Sequence, residues 1–153
     1  MGGPVVDVNV TQEALDNMPK PAVLVTPETA VRSYLDWTSY AYRIGQSPVA
    51  KPVMTPAEEV RVDSYIQLNF QKFRLIDQKL DSITLGTPSI EGTRAVITAK
   101  EKWIYSYISI KTAGKVEGGP YTASYDTTYT VLQTKPGHWL VDSVEAKALG
   151  DVK

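Results

Sequence analysis

Residues 93–110, TRAVITAKEKWIYSYISI, contain no glycine or proline and are rich in β-branched and aromatic side chains. Two further stretches of the same kind follow, YTASYDTTYTVLQ at 121–133 and HWLVDSVEA at 138–146. Such composition is typical of β-strands. The glycine-rich segment 111–120 and the turn at 135–137 separate the three stretches. The C-terminal half therefore predicts an antiparallel meander, with a hairpin loop at 111–120.

Two helices are predicted upstream of these strands. Thr26 is a good N-cap before Pro27, the apolar spacing that follows is helical, and Gly45 ends the helix. A second helix begins after Thr55, where Thr-Pro-Ala-Glu has the capping-box pattern, and ends near residues 73–75. The segment QSPVAKPVM between the helices is predicted to be a loop, and residues 11–17 have the composition of one or two further helical turns.

Residues 80–85 predict one more short strand, closed by Gly86-Thr87-Pro88, and Glu91-Gly92 predicts a turn. Helices followed by sequential strands indicate an α+β fold. We expect two or possibly three N-terminal helices on a curved antiparallel sheet of three to four strands. Residues 1–25 are interpreted as an extended lead-in or linker, 26–148 as a single domain and 149–153 as a C-terminal tail.

Composition excludes several classes of protein. The 153 residues include 16 basic and 17 acidic side chains, so no general basic field favours nucleic acid. The absence of cysteine excludes disulfides and thiolate metal sites, and a single histidine excludes histidine-rich ones. No apolar run is long enough for a transmembrane helix, and no phosphate-binding glycine loop is present. The sequence therefore predicts no cofactor, no metal and no nucleic-acid partner.

The chain resembles the NTF2-like superfamily over roughly residues 26–147. The resemblance rests on the opening helix TPETAVRSYLDW, a second helix, two long strands, and the closing unit SYDTTYTVLQTKPGHWLVDSVEA. It implies a cone-shaped α+β fold with a pocket at its open end. The resemblance does not imply an activity, since members include isomerase-like and dehydratase-like enzymes, accessory domains of membrane-anchored bacterial proteins, and transport factors.

Glu101 is the candidate catalytic residue. Strand alternation places it on the same face as Trp103 and Tyr105, and a carboxylate among rings is suited to general acid or base chemistry. The alternative is that Glu101 points into solvent between Lys100 and Lys102.

Two aspartates and the single histidine are further candidates. Asp126 and Asp142 form a carboxylate pair only if their strands bring them together, and alternation favours an outward position for both. His138, directly after a turn, is interpreted as an exposed strand residue rather than a catalytic one.

Aromatic side chains on the first helix and the long strands are candidates for lining a pocket for a small hydrophobic ligand. These are Tyr34, Trp37, Trp103, Tyr105, Tyr125 and Tyr129, with Tyr107 on the same strand face as Tyr105. The alternative is that the rings simply fill the space between the sheet and the helices.

The leading hypothesis is a non-catalytic binding or accessory domain that acts through a protein partner or as a homodimer. The lead-in suggests the soluble, extracytoplasmic part of an exported or membrane-anchored bacterial protein. Two alternatives remain open. One is an isomerase-like or hydrolase-like enzyme with Glu101 as base and tyrosine hydroxyls as oxyanion donors. The other is a carrier of a lipophilic ligand.

Overall fold

The structure, a computed structural model, describes residues 18–112 and 115–149. Helix α1 spans Pro27–Ile44, a 3-10 helix spans Ser47–Val53, and helix α2 spans Pro56–Gln71. Five strands follow: β1 (Arg74–Leu85), β2 (Ser89–Glu91), β3 (Arg94–Ser109), β4 (Val116–Lys135) and β5 (His138–Ala148). The predicted α+β class is confirmed. The helical turns predicted at residues 11–17 lie outside the described residues, as does most of the predicted lead-in.

The sheet is antiparallel, with the order β1-β3-β4-β5, and short β2 pairs with the start of β3. The hairpin of β3 and β4 forms its centre, where Ile97 lies opposite Tyr129 and Glu101 lies opposite Tyr125. Both strands are far longer than the usual five or six residues, and the register shifts twice between Tyr105 and Ile108. Such irregularities increase the twist, which allows a long hairpin to curve over the helices.

The strands differ from the prediction in number and length. Within the described residues the sheet has five strands rather than three to four, because β2 occupies Ser89–Glu91, where the sequence predicts only a turn at Glu91-Gly92. Strand β1 begins at Arg74 instead of residue 80, since a register shift between Leu80 and Ser82 interrupts the alternation that would reveal it. Strand β4 begins at Val116, so the second half of the predicted 111–120 loop is paired with β3.

The helix boundaries follow the capping chemistry, with two corrections. Thr26 and Thr29 cap α1 reciprocally, and Gly45 ends α1 in the left-handed conformation. At α2, the Thr55 hydroxyl accepts the Glu58 N–H at 3.3 Å. The Glu58 side chain does not return to the cap as predicted, because it is buried. The predicted loop between the helices contains the 3-10 helix, which is short and includes Pro52.

The core lies between α1 and the inner face of the sheet. Its fully buried members include Val31 from α1, Ile97 from β3, Val131 from β4 and Val141 from β5. The chain just before α1 is attached to this unit, since the Trp139 N–H donates to the Leu24 carbonyl at 2.9 Å. Among the described residues, no helix is both long enough and apolar enough to cross a membrane.

Candidate binding site

A cavity of about 380 Å³, partly open to solvent, lies between the helices and the inner face of the sheet. Every long element contributes to its wall, which combines rings with a few polar groups. The lining residues are Tyr34, Leu35, Thr38, Tyr42, Tyr65, Ile76, Gln78, Glu101, Trp103, Tyr105, Tyr107, Tyr125, Thr127, Tyr129, Val144 and Ala146. This volume falls at the small end of the range for ligand pockets.

Five of the six predicted ligand-binding residues line this cavity: Tyr34, Trp103, Tyr105, Tyr125 and Tyr129. Trp37 lies outside it. Its indole Nε1 donates to the Lys20 carbonyl at 3.0 Å, and its ring packs edge-on against Tyr40. The α1 residues Tyr34, Thr38 and Tyr42, which line the cavity, are spaced four residues apart. Because each residue advances about 100° around a helix, position 37 lies outside that stripe.

Glu101 lies in the wall of the cavity and is only 6% exposed. Its Oε1 accepts the Trp103 indole N–H at 2.8 Å, and its Oε2 accepts the Tyr129 hydroxyl. The alternative of a solvent-facing Glu101 is therefore wrong. Both oxygens already accept hydrogen bonds from neutral donors, as a buried carboxylate requires.

A second buried carboxylate, Glu58 of α2, was not identified from the sequence. It is 2% exposed. Arg61 holds it through Nε, 3.0 Å from Oε1, and through Nη2, 2.5 Å from Oε2. The Tyr34 hydroxyl donates to the same Oε2 at 2.5 Å. The spacing of three residues between Glu58 and Arg61 is the sequence signal for this pair, but it was hidden because Glu58 also fits a capping box.

Tyr34 and Tyr129 connect the two carboxylates, since their rings meet edge to face with centroids 6.3 Å apart. The pKa of Tyr129 is raised well above its ordinary value, first by burial and then by the charge of Glu101 and the hydrogen bond to it. The pKa of Tyr34 is also raised, chiefly by burial and then by the charges of Tyr42 and Glu58. Both phenols therefore stay protonated as donors to carboxylates.

These raised pKa values predict steep alkaline unfolding. Above about pH 10 an unfolded tyrosine loses its proton while folded Tyr34 and Tyr129 keep theirs, so stability falls as pH rises, by up to about 1.4 kcal/mol per pH unit for each residue. Denaturant unfolding between pH 8 and 11 measures the slope. Tyr129→Phe is expected to reduce it above pH 10 and Tyr34→Phe/Tyr129→Phe to reduce it further, and an unchanged slope in the double variant would contradict the assignment.

The mouth of the cavity is a cluster of tyrosine rings. Tyr42 and Tyr65 meet edge to face at 5.4 Å, and Tyr105 contacts both Tyr107 and Tyr121. The guanidinium of Arg74 lies 3.7 Å from the centroid of the Tyr107 ring. The mouth thus combines π faces and phenol hydroxyls, the mixture that suits an amphipathic group.

Other candidate residues lie apart from this cavity. Asp126 lies opposite Lys147 and pairs with Lys100 at 3.1 Å, whereas Asp142 accepts the Thr55 hydroxyl at 2.7 Å. The two aspartates do not form a pair. His138 begins β5 and is half-buried rather than exposed as predicted. Across residues 18–112 and 115–149, no group of three or more acidic or histidine side chains is arranged to hold a metal ion.

Comparisons with known proteins identify the fold. Neither a scan against protein-family models nor a search of curated proteins found a match. Among solved structures, the intermembrane space region of the chloroplast protein ARC6 is similar, with a TM-score of 0.63 and 17% identity over 86% of this chain and 99% of that one. An NTF2-like superfamily protein from Salmonella enterica serovar Typhimurium is similar with a TM-score of 0.54 and 11% identity over 84% and 96%. The resemblance predicted from the sequence is confirmed at the level of the fold.

Proposed function

We propose that this chain, whose fold is NTF2-like, is a non-catalytic binding domain that receives part of a protein partner in the mouth of its cavity. The proposal follows from the contents of the cavity rather than from the fold, since this fold hosts many functions. The similarity to ARC6 supports it, because that structure is the intermembrane space region of a larger chloroplast protein. We extend the proposal to a location outside the cytoplasm.

The main support for the proposal is the set of hydrogen bonds that Glu101 accepts from within the protein. An enzyme of the kind considered above needs a carboxylate that accepts a proton from substrate and tyrosine hydroxyls that donate to a developing oxyanion. Here the hydroxyl of Tyr129 and the indole of Trp103 donate to Glu101 itself. A neighbouring phenol, Tyr34, donates to Glu58. The donors nearest the carboxylate are engaged within the protein, which supports binding over catalysis.

The outer face of the sheet does not suit a homodimer interface, and this favours a partner that binds at the cavity mouth. That face carries charged pairs, with Lys100 3.1 Å from Asp126 and Lys102 4.0 Å from Asp81. Stable homodimer interfaces are depleted of charge at their centres. The mouth, in contrast, presents rings: Tyr65 lines the cavity and Tyr121 packs against the lining residue Tyr105, and both are more than a third exposed. Aromatic side chains of this kind are enriched where proteins bind one another.

Site-specific photocrosslinking in the organism that makes the protein tests this function. A benzophenone amino acid replaces Tyr105 at the mouth and, as the matched control, Lys100 on the outer face. We expect a discrete crosslinked protein band from position 105 that is absent from position 100. A band of twice the chain mass would identify a second copy as the partner. Equal crosslinking at both positions, or none at 105, would contradict the proposal.

A further inference from the structure

The cavity contains a negative charge without a matching positive one. Glu101 is buried, and its two hydrogen-bond donors, Trp103 and Tyr129, are neutral. No cation in the part of the chain that the structure describes forms an ion pair with it. Hydrogen bonds from a cation to a carboxylate are shorter and stronger than those from neutral donors.

Two arginines that contact residues of the cavity wall are engaged elsewhere. Arg61 is bound by Glu58 and Tyr34. Arg74 donates to Asn69 Oδ1 at 2.8 Å and covers one face of Tyr107. Neither guanidinium is directed at Glu101. The positive charge that would complement the cavity therefore has to come from outside.

Thr127 is a second polar residue in the cavity wall whose side-chain hydrogen-bonding capacity is not used by the described residues. It is 2% exposed, and its hydroxyl oxygen has no hydrogen-bond partner among the described residues. An unsatisfied buried hydroxyl costs about 1–3 kcal/mol, so such an atom in a cavity wall points to a bound polar group. Thr127 shares the inner face of β4 with Tyr125 and Tyr129, on the same side as Glu101. Glu101 and Thr127 together offer acceptors to a donor-rich ligand.

Much of the cavity wall is aromatic. Tyr65, Tyr105 and Tyr125 line the cavity, and a cation gains electrostatic energy over the face of such a ring. Arg74 over Tyr107 already makes this contact at the rim. A neutral hydrocarbon would use the rings but leave Glu101 and Thr127 without partners, and an anion would be repelled by Glu101. A cation with several N–H donors complements Glu101, Thr127 and the tyrosine rings together.

We propose that the group received by the cavity is a basic side chain of the protein partner, an arginine or a lysine, whose charged end reaches Glu101 and Thr127 between the tyrosine rings. This inference rests on the proposed function, because it names the chemistry of the partner at the same site. Arginine suits the geometry well, since its planar guanidinium stacks on rings and offers five donors.

Indole NMR provides a direct test. The protein has three tryptophans, and the Trp103 indole N–H is bonded to Glu101, so its ¹H–¹⁵N signal reports on that carboxylate. The probes are acetylated and amidated tripeptides with arginine, lysine, norleucine or glutamate between two glycines, together with tetramethylammonium. We expect the arginine and lysine peptides to shift the Trp103 signal saturably. They should bind at least about tenfold more tightly than norleucine, the glutamate peptide should not bind, and tetramethylammonium should bind more weakly than either basic peptide.

Variants assign the effect to the proposed contacts. Glu101→Gln is expected to weaken binding of the arginine peptide by at least about tenfold. Asp126→Asn, which removes one charge from the outer face, is the matched control and should leave the affinity unchanged. Tyr105→Leu leaves the buried network intact and should weaken binding by about threefold, which keeps the test decisive if Glu101→Gln folds poorly.

Each other outcome overturns the inference in a distinct way. Equal affinity for norleucine would identify an apolar ligand, and equal affinity for tetramethylammonium would identify a small onium compound instead of a partner side chain. If no basic peptide shifts Trp103 while the benzophenone at position 105 still crosslinks a partner, the charge assignment fails and the proposed function stands. If the basic peptides shift Trp103 but position 105 captures no protein, the partner is wrong and a small cationic ligand replaces it.

Discussion

Glu58→Ala is expected to lower the free energy of unfolding by about 3–4 kcal/mol, because it truncates a fully buried side chain and removes the acceptor of a buried hydroxyl. The substitution leaves the Tyr34 hydroxyl, buried in the core, without its acceptor, and it frees the guanidinium of Arg61 beside that hydroxyl. It also opens a cavity beneath α2, where the Glu58 side chain is among the most completely buried in the protein.

Denaturant unfolding at pH 7 measures this loss. Glu59→Ala is the matched control, because it removes the same charge from the same first turn of α2 but at a half-buried position. It should cost less than about 1 kcal/mol. Glu58→Gln, which retains the size and one acceptor oxygen, should fall between the two. Similar losses for Glu58→Ala and Glu59→Ala would show that the charge acts only through the helix terminus and that the network contributes nothing.

Gly45→Ala is expected to cost about 2–4 kcal/mol, for two separable reasons. Gly45 ends α1 with φ 73°, a conformation that an L-residue adopts only at a cost of about 1 kcal/mol. A Cβ built there would lie 2.7 Å from Phe70 Cζ and 2.8 Å from Leu75 Cδ2. Overpacking of this kind typically adds about 1–3 kcal/mol.

Gly137→Ala separates the two contributions. Gly137 has the same φ of 73°, but nothing lies within 4 Å of the added Cβ. Thermal or denaturant unfolding should therefore show a loss of about 1 kcal/mol for Gly137→Ala and a clearly larger loss for Gly45→Ala. Equal losses would mean that the contact between α1, α2 and β1 adjusts freely to an added methyl group. A larger loss at Gly137 would contradict the argument altogether.

The elements predicted most accurately are those whose signal is local. Strand β3 matches the predicted stretch to within one residue at each end, because nothing in 93–110 interrupts an extended chain. Helix α1 begins and ends where Thr26 and Gly45 place it. The start of β1 was missed because a bulge breaks its alternation, and α2 passes directly into β1 through Phe73, which has a positive φ that sequence does not predict for phenylalanine.

The candidate site was predicted only in part. Alternation along β3 correctly grouped Glu101 with Trp103 and Tyr105, but it left undecided which face of the strand was the inner one. Helical spacing did not exclude Trp37 from the predicted site, because the sequence does not show which stripe of α1 the sheet covers. Glu58 was assigned to a cap because the same sequence pattern serves both a capping box and an inward-facing carboxylate, and local sequence does not distinguish them.

The sequence by itself determined the α+β order, the meander, the helix caps and the exclusion of thiol chemistry, since each depends on propensity or spacing within a few neighbouring residues. Only the tertiary structure decided that Glu101 meets Tyr129, that Glu58 meets Tyr34, and that the Thr127 hydroxyl has no hydrogen-bond partner in the described part of the chain. Those relationships join residues far apart in the chain, and they are set by strand register and by the packing of α1 on the sheet, which no local pattern encodes.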